Sequence, residues 1–329
     1  MTIKISDYKE LDLKAAPVQN AGDSNTYSVS VRKDKKVLLY NNKMELLKVL
    51  NLEDYETTRK TKRKGSEKQH IQLNMAKELI AVWSEDTGLS CMKFDGTKVF
   101  SYEGAYSEVH SDFRNEVLWA VLRNNNENIT VQVIDYAGDI LASLPMEDPL
   151  YQSMFGFTNL PEKNSVAISF GGGQDGSQDY FLEWKKDHIE IVKTLPDDLT
   201  FIYCDSTGKL AMLFDFYEGI FYKTEYPGLK EISHFIMEEN EELEEYCAGS
   251  IIQVNNEKAI ICNEYNQRYY LFDIKNMELS EEITFKGYEP KEDKDGEICS
   301  DISTMSIKDG KLFAYLKNKV LYCDISVIE

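Results

Sequence analysis

One arrangement of apolar and polar positions recurs along the chain. A turn rich in Asn, Asp, Lys or Gly is followed at once by a run of Val, Ile, Leu, Ala or Phe. It occurs in NMAKELIAVW (74–83), DFRNEVLWAV (112–121), LPEKNSVAIS (160–169), DSTGKLAMLF (205–214), VNNEKAIICN (254–263) and IKDGKLFAYL (307–316). Polar turn formers before such runs predict hairpins. A second arrangement follows in MKFDGTKVFSY (92–102), VIDYAGDILAS (133–143), LFDIKNMELSE (271–281) and LLYNNKMELLKVL (38–50), and more loosely in LEWKKDHIEIV (182–192). There a strand ends on an aromatic or aliphatic residue plus Asp or Asn, and a tight turn leads to another strand. Helical patterning is confined to one candidate, MEENEELEEYCAG (237–249).

The apolar strands after the first kind of turn begin near Leu79, Val117, Val166, Leu210, Ala259 and Leu312, at intervals of 38 to 53 residues. A diverged repeat of that length with four short strands is the signature of propeller blades. Over nearly its whole length the chain resembles the β-propeller superfamily, in particular seven-bladed WD40-like bacterial propellers. The Trp-Asp dipeptide of WD repeats is replaced by Phe94-Asp95, Ile134-Asp135, Phe272-Asp273 and Cys323-Asp324. The expectation is an all-β, seven-bladed β-propeller in a single domain, 1–329, with six blades the nearest alternative. Blades are expected at about 10–52, 70–103, 106–146, 152–195, 199–236, 249–286 and 302–326. The last unit has only three strands of its own. Residues 1–8 are therefore expected to supply its outer strand and close the ring, removing an open edge.

Composition narrows the function classes. Hydrophobic residues make up 42% of the 329 and charged residues 29%, as in ordinary globular proteins. The net charge of −20 opposes binding to a phosphate backbone or an anionic membrane. It suits a basic or neutral partner, or serves solubility alone. No apolar run approaches the ~18 residues of a membrane span. MTIKISDYKELDLK lacks the apolar centre of a signal peptide, so a cytoplasmic location is expected. The six cysteines form no C-x-x-C pair and are expected to be reduced thiols.

The stretch SFGGGQDGSQDYFLEW (169–184) tests for a phosphate loop. Gly171 and Gly176 fit its outline, but Ser177 and Gln178 stand where Lys and then Ser or Thr are required. A phosphate loop also opens a helix, whereas DYFLEW reads as a strand. The segment is expected to be a turn between the second and third strands of one blade. At Gly171–Ser177 it is longer than the two-residue minimum of a hairpin.

In propellers such turns share a face with the blade-to-blade crossings. Three long crossings map there: RKTKRKGSEK (59–68), MEENEELEEYCAG and KGYEPKEDKDGEIC (286–299). Long loops concentrated on one face point to binding. The candidate partner-binding residues are Gln174 and Asp175 at the glycine loop, with Arg59, Lys60, Lys62, Arg63 and Lys64 in the basic crossing. That crossing reads either as a docking patch for an acidic peptide or phosphate group, or as a solvated loop. Asp293, Asp295 and Glu297 form a weak calcium candidate, short of the six to eight oxygens calcium takes. No cofactor is expected. His70, His110, His188 and His234 stand in no catalytic or metal motif, and Trp83, Trp119 and Trp184 read as core. The functional expectation is a non-catalytic, monomeric scaffold binding a protein or peptide through these loops. The alternatives are a propeller-type hydrolase or lyase with a central-channel site, and an immunity protein that neutralises a basic toxin.

Overall fold

The computed structural model describes residues 2–11, 18–20, 26–31, 36–52, 72–76, 78–85, 87–125, 127–151, 154–172, 176–240, 243, 251–263, 266–292, 294 and 296–328. Their regular structure is β, apart from single 3-10 turns at Met237–Glu239 and Ile325–Val327. The chain divides into two compact units, 16–197 and 198–329 together with 1–15.

The 16–197 unit holds four antiparallel four-stranded sheets, spanning 18–51, 72–102, 105–147 and 154–194. In each, spatial order follows chain order. The apolar runs become second strands, and those of three sheets begin at Leu79, Val117 and Ser165. Leu79–Ser84 is buried at every position, and Val117–Val121 likewise. Such strands are buried on both faces because neighbouring sheets of the unit pack face to face. Trp119, Val131 and Val133 meet Val166, Ile168 and Phe170 of the next sheet. Strands covered on both faces read as continuous apolar runs rather than alternating ones. The fourth strands are far less buried; in Ile140–Glu147 only Ala142 and Met146 are buried.

The aspartates that stand in place of the WD aspartate cap the turns that follow them. Asp135 Oδ1 accepts from the N–H groups of Ala137, Gly138 and Asp139 at 2.8 to 2.9 Å. Asp95 takes Thr97 N–H at 2.8 Å, Asp273 takes Asn276 N–H at 2.9 Å, and Asp324 takes Ser326 N–H at 3.0 Å. Asn41 does the same for Lys43 and Glu45. A short side-chain acceptor that mimics a backbone turn explains the preference for Asp or Asn there.

The second unit corrects the expected blade count and closure. Six sheets of the described residues have four strands, not seven: the four above, the 199–236 sheet, and the 302–324 sheet completed by Lys9–Leu11. The 251–285 sheet has five, and a two-stranded hairpin lies within the 286–299 crossing. Residues 1–8 do not supply the outer strand of the 302–324 sheet. Thr2–Ile5 instead runs parallel to Glu278–Phe285, with Ile5 beside Phe285. The outer strand of the last sheet is Lys9–Leu11, antiparallel to Val320–Tyr322. Burial decides this register. Ile5 is 3% exposed in a cluster with Ile283 and Phe285. Tyr8 follows, its ring edge-on to Phe285 at 5.5 Å and its hydroxyl donating to Lys286 O at 2.7 Å. One N-terminal segment thus covers the edges of two sheets.

Candidate interaction face

Antiparallel order places the turns between second and third strands at the same end of a sheet as the crossings between sheets. In the 16–197 unit that end is organised by Arg123. Its Nη1 lies 3.1 Å from Asp148 Oδ2, with the two side chains 11% and 0% exposed. Its Nε lies 3.8 Å from Glu85, and Ser107 Oγ donates to the same Glu85 oxygen at 3.2 Å. The guanidinium also sits over the Phe155 ring at 5.1 Å. Glu85, Arg123 and Phe155 belong to three successive sheets. One cation therefore ties three sheets at this end, where burial strengthens the pairing.

The crossing that supplies Asp148 is shaped from within. Asp148 Oδ1 accepts from Leu150 N–H at 3.1 Å, and Asp148 N–H donates to Glu127 O at 2.6 Å. Tyr151 then takes a positive φ of 45°. Its side chain is 64% exposed and that of Met154 is 72% exposed. Met154 opens the next sheet and pairs with Gly171, the last residue of the second strand. The glycine loop begins there. Gly172 N–H donates to Gly176 O at 2.9 Å, Gly176 has φ of 100°, and Ser177–Lys185 is a strand. Gly172 and Gly176 thus bracket a turn between second and third strands, and Gly171 at its start pairs with Met154, whose side chain is exposed.

Of the sequence candidates, Gln174 and Asp175 lie outside the described residues, as do Arg59, Lys60, Lys62, Arg63 and Lys64. So do Asp293, Asp295 and His70, while Glu297 is exposed in the turn of the 286–299 hairpin. Among the described residues no group of three or more His, Cys, Asp or Glu is placed to hold a metal ion. Five described cysteines form no disulfide, and no described helix is long and apolar enough to cross a membrane. Trp83 and Trp119 are buried at 3% and 0%, whereas Trp184 is half-buried and donates to Lys186 O.

His188 is bracketed by Asp187 and Glu190, each at 3.0 Å, which raise its pKa. His234 pairs with Glu231 at 2.9 Å. His110 lies on a first strand, 3.2 Å from Asn159 of the next sheet and stacked on Phe157. Two positions along the same strand, after a bulge, is Glu108. Burial pushes its carboxyl up to about 7, against a hydrogen bond from the Val109 backbone. At the opposite end of this sheet Arg114 is a second tie. It reaches Asp112, Asn159 and the carbonyls of Leu160 and Ser165.

Sequence reasoning missed Tyr151, Met154 and the Arg123–Asp148 pair. EDPLYQSM (147–154) carries a signal, the bulky apolar residues Leu150, Tyr151 and Met154 close together after a strand, but pairing across 25 residues does not show in local pattern.

No family model matches the chain, and no curated protein matches it in sequence. Solved structures do match it in shape. The β-propeller domain of Cps50 (Swd1) from Myceliophteria thermophila has a TM-score of 0.60 at 10% identity, over 97% of this chain and 99% of that one. The fold is that of a β-propeller. A chain of the mitotic checkpoint complex gives 0.62 at 8% identity, over 99% and 97%. Selenomethionine-substituted virginiamycin B lyase from Staphylococcus aureus gives 0.58 at 12%, over 96% and 98%. At these identities the likeness is one of fold, and a chain of a complex stands beside a lyase.

Proposed function

We propose that this β-propeller is a protein-interaction scaffold whose 16–197 unit binds a partner protein or peptide at the end bearing Tyr151, Met154 and the glycine loop. The observation that carries the reading is the exposure of Tyr151 at 64% and Met154 at 72% above the buried Arg123–Asp148 pair. Folding gains little from apolar side chains held in water. Beside a polar rim, on a backbone fixed from beneath, such a pair has the composition and rigidity of an interface anchor. The assembly named for the mitotic checkpoint neighbour supports the same use of the fold. Gln174 and Asp175, between Gly172 and Gly176 in the chain, are the proposed polar contacts.

Capture from native lysate tests this. Wild type is compared with Tyr151→Ser/Met154→Ser and with Gln174→Ala/Asp175→Ala. Loss of the same captured protein in both variants, with unchanged melting temperature, is the expected result. Retention of every captured protein by both variants overturns the proposal.

A further inference from the structure

In the 198–329 unit, the turn between the second and third strands of the 199–236 sheet carries two exposed aromatic rings, Phe216 at 42% and Tyr217 at 55%. The backbone holds them there. Asp215 Oδ1 accepts from the N–H groups of Tyr217 at 3.0 Å and Glu218 at 2.9 Å. Phe216 N–H donates to Asp198 O at 3.3 Å. The two rings meet edge-on with centroids 6.1 Å apart, and Phe216 lies 6.4 Å from Phe214. Rigid aromatic rings kept in solvent are the side chains most enriched at the centres of interfaces.

The surroundings carry one sign of charge. Met237 N–H donates to Gly219 O at 3.0 Å, bringing the Met237–Glu239 turn against the aromatic turn. Glu218, Glu238 and Glu239 are all exposed there. The phenol pKa of Tyr222, just inside the turn, is raised by burial and then by the carboxylates of Asp215, Glu231 and Glu218. Lys223 on the same strand is committed elsewhere, its Nζ donating to Ile274 O at 3.2 Å and lying 3.4 Å from Lys275 O. Ring faces and carboxylates both attract cations, and neither suits an anionic partner.

We infer that Phe216, Tyr217, Glu218, Glu238 and Glu239 form a docking surface for a basic segment of another protein. Lysine or arginine side chains of that segment lie over the two rings, with their charges toward the glutamates. The surface uses residues other than Tyr151 and Met154 and does not rest on the reading of that face.

Fluorescence polarisation with a labelled ten-residue peptide of lysine, arginine and alanine tests it, against a glutamate–alanine peptide of equal length. The basic peptide binds and the acidic one does not. Phe216→Ser/Tyr217→Ser weakens the basic peptide by about five-fold or more, as expected for loss of two cation–π contacts at exposed sites. Glu238→Gln/Glu239→Gln weakens it too and flattens its salt dependence. Tyr151→Ser/Met154→Ser leaves its affinity unchanged. Melting temperatures equal to wild type show that each variant is folded. Equal binding by wild type and all variants means attraction to the overall charge of −20, and overturns the inference. Absence of binding to the basic peptide overturns it as well, as does loss confined to the Tyr151/Met154 variant.

Discussion

Arg123 and Asp148 form an ion pair 3.1 Å long across 25 residues of chain, with 11% and 0% of their side chains exposed. Two charges removed from water to this extent stabilise a fold only while both are present. Asp148→Ala is expected to cost about 3–5 kcal/mol, because it takes from a buried guanidinium its nearer carboxylate, Glu85 lying 3.8 Å away and half-exposed. Arg123→Met with Asp148→Leu is expected to cost less than either single change. Urea unfolding of the three variants checks this. Single changes no worse than the double would mean that the charges are solvated and that the pair does not anchor the Tyr151 crossing.

The N-terminal segment yields a graded prediction. Ile5 is 3% exposed among Ile283 and Phe285, so Ile5→Ala is expected to cost about 2–5 kcal/mol. Removing 2–5 bares half the edge of Glu278–Phe285 and lowers the melting temperature. Removing 2–11 lowers it further. That truncation also strips Lys9–Leu11 from the last sheet, and with it the carboxylate of Glu10, which accepts from Lys319 Nζ at 2.7 Å and Tyr288 hydroxyl at 2.8 Å. Equal melting of the two truncations would show that the last sheet does not need its outer strand.

What the sequence revealed here was local, and what it hid was the choice among open edges. Leu79, Val117 and Leu210 begin second strands because a polar turn before an apolar run is complete information for a hairpin. TIKI and KEL carry no comparable signal. Both are short, and two sheet edges compete for them. The outcome is set by the depth at which Ile5 and Tyr8 bury, a property of the assembled sheets rather than of the segment. The face at Tyr151 was hidden for the same reason. Its exposure follows from the turn that Asp148 makes toward Arg123, and each partner alone reads as an ordinary surface charge. By contrast the glycine loop was legible, since a missing lysine and a following strand are both local facts.

Gly88, in the turn that carries Glu85, has φ of 81°, and a Cβ built on it would lie 2.0 Å from Tyr102 O. Side chains rarely adopt that backbone conformation, and the clash is with backbone that cannot swing away. Gly88→Ala is therefore expected to cost at least ~1–3 kcal/mol from the backbone conformation alone. It should also shift Glu85 and loosen its contacts to Ser107 and Arg123. Thermal unfolding checks the first effect. A crystal structure of the variant with Gly88's turn unmoved would contradict the second.

Glu108 makes stability depend on pH in a direction opposite to most carboxylates. Burial holds its pKa near 7 in the folded chain, above the ordinary 4.5. Between those values the folded state keeps a proton that the unfolded state has released, so stability must fall as pH rises through this window. The contribution is fully present below about pH 4.5 and lost by the time pH exceeds about 7. Glu108→Gln keeps the shape and removes the titration. The variant is expected to match wild type near pH 4 and to exceed it in melting temperature at pH 8, with the gap opening between about pH 4.5 and 7. Other titrating groups are common to both proteins, so their effects cancel in the difference. A gap that is constant across this range would mean that Glu108 ionises in water, exposed on its strand rather than enclosed beside His110.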